Sequence, residues 1–176
     1  MEKKVLGIRI EIEGGLLGIE KFLKIKEYMQ IVPNGIIKKL IENDISIHLV
    51  TNKTMRKEGK EKKVIGFYDS IRKVIYIRIL QKENSFKETF FHEIGHFVDN
   101  YIGVYQERES KHYSLSPYFL EIASEEANVL SQYHRSNIFE VFAQSFALYM
   151  QNNKTINSMP KIKILMASVI GYMEAI

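Results

Sequence analysis

The 176-residue chain contains no cysteine. Disulfides and thiolate metal sites are therefore excluded, and any metal ion must be held by histidine and carboxylate. No run of ~18 apolar residues occurs, which excludes a membrane-spanning helix. The opening M-E-K-K-V-L-G-I-R-I-E-I-E-G-G starts basic, but Arg9, Glu11 and Glu13 interrupt it, and no secretory signal is read there. Charge of one sign is also scarce. Lys and Arg number 25 against 21 acids, a net +4, and only residues 52–63 form a basic run. That run carries two glutamates and reads as a solvated loop rather than a nucleic-acid or membrane patch. No internal repeat or linker divides the chain, and its length suits one domain over residues 1–176.

What is present is ordinary globular material, 45% hydrophobic and 26% charged, able to bury a core. A strand is expected over Leu6 to Ile12, then helices over 16–30 and 35–42, the second opened by Pro33-Asn34. The alternating I-S-I-H-L-V at 45–50 predicts a strand, and V-I-G-F-Y (64–68) and K-V-I-Y-I-R-I (73–79) predict a hairpin about D-S-I-R. Beyond residue 85 the pattern is helical at 86–102, 118–134, 137–151 and 161–175, with Ser136 as an N-cap, Pro160 near the last helix's first turn, and a loop over 103–117. The expected fold class is α+β: a small mixed sheet with N-terminal helices (1–85), a helix carrying the motif described next (86–102), and an all-helical C-terminal lobe (103–176).

The informative stretch is F-F-H-E-I-G-H-F-V-D, residues 90–99. On a helix, residues four apart share a face, so His92 and His96 present both imidazoles to one point. Zinc accepts imidazole nitrogen at ~2.0–2.1 Å, which two histidines one turn apart can supply. Glu93 sits ~100° around the helix, badly placed as a ligand but able to act as general base toward a water at the ion. Gly95 costs ~1 kcal/mol of helix stability relative to Ala, and its missing side chain lets a neighbouring backbone come close.

Catalytic zinc usually holds three protein ligands. Asp99, Glu121, Glu125, Glu126, His112 and His134 are candidates, Asp99 being better suited to orient an imidazole. Glu140 fits best, because it is a lone carboxylate among Ile138, Phe139, Val141, Phe142, Phe146 and Leu148, and a buried carboxylate asks for a cation. His48 reads as a packed strand residue and His112 as a solvated loop residue; His134 could touch substrate.

H-E-I-G-H-F-V-D followed by Y-H-R-S-N-I-F-E-V-F-A-Q-S-F resembles the catalytic domain of anthrax lethal factor and the related bacterial Pro-Pro endopeptidases, zinc metalloproteases of the gluzincin type. The likeness covers residues 90–149. It implies a zinc endopeptidase acting on an extended protein or peptide, with His92, His96 and Glu140 on the metal, Glu93 as base and Tyr133, seven residues before Glu140, stabilising the oxyanion. It also implies an edge strand that aligns substrate, for which 64–68 is the candidate, and a secreted location, a cytoplasmic one being the other expectation. Gln144 stands where the family often has a second glutamate, so a hydrogen bond to an imidazole is kept there without the charge. The other expectations weighed are a zinc-holding peptide-binding or regulatory module without turnover, and a domain without metal.

Overall fold

Ile8, Ile10 and Ile12 alternate with Arg9 and Glu11, and this period of two forms a strand whose isoleucines enter the core. The computed structural model describes residues 1–106 and 111–176. Glu2–Val5 (β1) pairs antiparallel with Ile8–Ile12 (β2) through a two-residue turn. Both turn residues, Leu6 and Gly7, have positive φ, 49° and 89°, the geometry that matches the twist of a hairpin. A leucine is an unusual occupant of that conformation, so the expected single strand from Leu6 is instead a turn followed by β2.

Helices Gly15–Met29 (α1) and Asn34–Glu42 (α2) lead to Ser46–Val50 (β3), which lies parallel to β2. The basic run is not entirely loop: Asn52–Lys57 is a short helix (α3) anchored by the buried Met55. Glu13 fastens its start, accepting from the Thr51 backbone N–H at 3.0 Å and from the Thr51 and Thr54 hydroxyls. Burial opposes ionisation of Glu13, but these bonds outweigh it and hold the carboxyl below its ordinary value. Gly66–Asp69 (β4) and Val74–Arg78 (β5) form the expected hairpin, and β5 inserts parallel to β3. The sheet order is β1-β2-β3-β5-β4, which leaves β4 at one edge. β5 is buried on both faces because Val74 and Tyr76 pack with Val50 and Met55 on the side away from the main core.

Glu83–Tyr105 (α4) crosses the other face of the sheet, its Phe86, Phe90, Phe91 and Ile94 fully buried in the main core. Each such side chain contributes about 1.5–3 kcal/mol by leaving water. The helical C-terminal half follows as Pro117–Glu126 (α5), Ile138–Met150 (α6) and Pro160–Ala175 (α7), with 3-10 turns at Tyr113–Leu115, Ala127–Val129 and Lys154–Ser158. Pro160 takes the expected first-turn position of α7. Residues 107–110 of the expected loop lie outside the described residues, and α4 extends to Tyr105 rather than ending at 102.

The expected helix over 118–134 is overturned: α5 stops at Glu126. There the Glu126 carboxylate accepts from the backbone N–H groups of Lys161 and Ile162 in the first turn of α7. Further on, the Ser131 hydroxyl accepts from the His134 N–H at 3.3 Å, a local bond that competes with helix. The N-cap of α6 is Asn137 rather than Ser136, its side chain accepting from the Glu140 N–H at 3.0 Å. No helix of the described residues is long and apolar enough to cross a membrane.

Candidate metal centre

The site begins at the contact between α4 and α6. Gly95 is what lets these helices approach: a methyl group there would lie 2.9 Å from the Ala143 Cα and 3.0 Å from the Ala143 carbonyl oxygen. Glu140 is three residues before Ala143 and so faces the turn of α4 that carries His92 and His96. His92 Nε2 lies 3.1 Å from Glu140 Oε2 and 3.1 Å from His96 Nε2, and His96 Nε2 lies 3.4 Å from Glu140 Oε1.

These distances test whether a metal ion fits. Donor atoms ~2.0–2.1 Å from one tetrahedral ion stand about 3.3 Å from each other, and the three observed separations bracket that value. The donor chemistry agrees, two imidazoles and a carboxylate. His92, His96 and Glu140 are a group among the described residues that could hold a metal ion, with ligand atoms within 4.8 Å of one another. Burial opposes protonation of His92, yet Glu140 and Glu93 raise its pKa above the ordinary histidine value. Burial likewise opposes ionisation of Glu140, yet the two imidazoles hold its carboxyl well below the ordinary carboxylate range. Both shifts have the same physical cause, the attraction between the Glu140 carboxylate and the imidazoles it faces.

Glu93 is buried beside this centre, and its Oε2 has no hydrogen-bond partner. Burial raises its pKa, with the imidazoles of His96 and His92 pulling the other way. The backbone N–H of Tyr68 in β4 supports the carboxylate, and Gly66 makes room for it: a methyl group on Gly66 would stand 2.7 Å from Glu93 Oε1 and 2.5 Å from Thr89 Cγ2. An unpartnered, buried, acceptor-only atom suits a site that takes in a water molecule.

Tyr133 lies in the turn before α6, more than half exposed, and lines a cleft of about 350 Å³ together with Gly66, His92, Glu93 and His134. Burial together with the charges of Glu140 and Glu93 raises the phenol pKa, so Tyr133 keeps its proton and remains a donor. The His134 ring lies 5.9 Å from that of His92. Its Nδ1 is 3.0 Å from the Ser131 hydroxyl.

Asp99, Glu125, Glu126 and His112 are employed elsewhere, and Glu121 lies on α5 outside the histidine cluster. Asp99 accepts from the Ser114 N–H at 2.6 Å and hydroxyl at 2.8 Å, and lies 3.1 Å from His112 Nδ1. It orients neither His92 nor His96, and His112 is tied to it rather than simply solvated. Glu125 pairs with Lys161, and Glu126 holds the start of α7. His48 sits in β3 beside Tyr76 and Glu11. Gln144, one turn past Glu140, lies 3.1 Å from His92 Nδ1 through its Oε1, and its Nε2 donates to Glu88 Oε1 at 2.7 Å. Glu88 was not foreseen from sequence. The only available signal was its place four residues before His92, on the same face of α4.

No family model matches the chain. Over 62 residues it is 40% identical to lethal factor of Bacillus anthracis, a match covering 35% of this chain and 8% of that much longer protein. Its fold is similar to that of a Pro-Pro endopeptidase from Paenibacillus alvei, with a TM-score of 0.68 and 19% identity, covering 91% of this chain and 96% of the other. The resemblance drawn from the motif region therefore recurs in both comparisons, the second extending the likeness of fold to nearly the whole chain.

Proposed function

We propose that the protein is a zinc-dependent endopeptidase that hydrolyses a peptide bond in an extended protein or peptide segment. The observation that carries this is the convergence of His92 Nε2, His96 Nε2 and the Glu140 carboxylate at 3.1–3.4 Å beside a buried glutamate with an unpartnered oxygen. His92, His96 and Glu140 would hold the ion. Bound zinc supplies a Lewis acid that polarises a carbonyl and lowers the pKa of water.

This chain's own residues do the rest. The edge of β4 binds the substrate backbone as an added strand, and Gly66 brings that edge against the cleft. Glu93 takes the proton of the attacking water on its free Oε2 and returns it to the leaving amine. The Tyr133 hydroxyl donates to the oxygen on which negative charge develops. The names of the similar proteins support a peptidase of this kind.

The test is elemental analysis with a directed variant. The purified protein should contain one zinc per chain, and Glu93→Gln should keep the metal while cleavage of a peptide library disappears. Wild-type cleavage rates in Glu93→Gln would refute the mechanism. Zinc-loaded wild-type protein that binds peptides and cuts none would favour a peptide-capturing module instead.

A further inference from the structure

We infer that Glu88, acting through Gln144, is a positioning residue that sets the orientation and tautomer of His92 for metal binding. The inference rests on the proposed zinc site. Glu88 lies one turn before His92 on α4, and Gln144 one turn after Glu140 on α6, so the two meet where these helices touch. Gln144 is 4% exposed, and both ends of its amide are engaged.

The polarity of the chain follows from donor and acceptor chemistry. A carboxylate only accepts hydrogen bonds, whereas an amide has one donating and one accepting end. Glu88 therefore draws the NH2 group of Gln144 toward itself, at 2.7 Å. The amide oxygen must then point at His92 Nδ1, at 3.1 Å. That oxygen cannot donate, so Nδ1 carries a ring hydrogen, and the other ring nitrogen, Nε2, is turned toward Glu140 and His96. In this chain the charge sits one residue outward from the imidazole, and its direction is passed on through an amide. Without Glu88, the amide could turn over and offer NH2 to Nδ1. The ring hydrogen would then sit on Nε2, pointing into the ligand set. Partners at this remove typically affect metal affinity 10–100-fold.

Zinc alone, in competition with a chromophoric chelator, is the probe, and nitrogen NMR of the imidazoles in metal-free protein is the second readout. Wild type should bind one zinc and show a hydrogen on His92 Nδ1. Glu88→Gln, nearly isosteric, should bind zinc about 10–100-fold more weakly and carry hydrogen on His92 Nδ1 in only part of the molecules. The swap Glu88→Gln/Gln144→Glu should recover to within about threefold of wild type, because the new amide at 88 donates to a carboxylate that still accepts from Nδ1.

Unchanged affinity and tautomer in Glu88→Gln would overturn the inference and leave the zinc site standing. Weakened binding that the swap does not rescue, with the metal-free melting temperature unchanged, would also overturn it. A wild-type ring with no hydrogen on Nδ1 would overturn it whether or not any variant folds. A wild-type chain that binds no zinc would remove the site itself and this inference with it.

Discussion

Gly66 and Glu93 form one mechanical unit, since the strand residue is bare so that the carboxylate can lie against it. Gly66→Ala is expected to push Glu93 and Thr89 aside. A displacement of ~1 Å costs on the order of 100-fold in rate, so turnover should fall by about that factor while zinc content stays at the wild-type level. An unchanged turnover number would show that the glutamate tolerates the methyl group. Tyr133 carries the second expectation. It is exposed at the cleft wall, so Tyr133→Phe should leave stability within about 0.5 kcal/mol. It should lower kcat by about 100- to 1,000-fold with KM little changed; a matching rise in KM instead would assign Tyr133 to substrate binding. Both side chains could be singled out in the sequence, Glu93 by its place between two histidines and Tyr133 by its likeness to a known pattern. The close approach of Gly66 could not, because nothing local says which helix passes over a strand.

Among the elements, α4 and α6 matter most, and Gly95 sets their separation. Alanine at an unstrained helical position gains up to ~1 kcal/mol over glycine, but here the added methyl meets backbone atoms of Ala143 that cannot swing away. Overpacking of this kind costs about 1–3 kcal/mol. Gly95→Ala should therefore be net destabilising in chemical denaturation and should weaken zinc binding by drawing Glu140 back. A stabilised variant with unaltered zinc affinity would refute the close-contact account. At this scale the sequence was legible wherever a period repeated, as in β2, α2 and α4; α1 spans nearly the expected residues, but its buried face includes Gly18 and Lys21 while Ile19 and Leu23 are exposed. It was not legible at Leu6–Gly7, where a leucine occupies a left-handed turn. Nor did it reveal the end of α5, because Glu126 is held by α7, 35 residues onward. α3 was hidden in lysine-rich text because a single buried methionine anchors it.

For the molecule as a whole, the metal is expected to act as a staple between the two halves of the chain. Zinc held by His92 and His96 from α4 and Glu140 from α6 would bind the folded state and not the unfolded one. At a free concentration of 1,000 times its Kd, that adds about 4 kcal/mol, and a domain of this size gains ~2–4 °C per kcal/mol. Chelation should thus lower the melting temperature by roughly 10 °C, and zinc should restore it. Equal melting curves with and without chelator would mean that no ion links the helices.

The order of amino acids alone determined that His92 and His96 share one face of a helix with Glu93 beside them. A spacing of four residues within continuous helix is local geometry and needs no distant partner. The composition likewise confined metal ligands to imidazole and carboxylate. The apolar surroundings of Glu140 and its likeness to a known pattern singled it out in the sequence, but the tertiary structure brought it to the imidazoles while turning Asp99 toward Ser114 and Glu126 toward α7. It also placed Glu88 behind Gln144. Contacts between residues some fifty positions apart arise from how helices pack. That packing is set by side-chain volume summed over the whole core, which no short stretch of sequence contains.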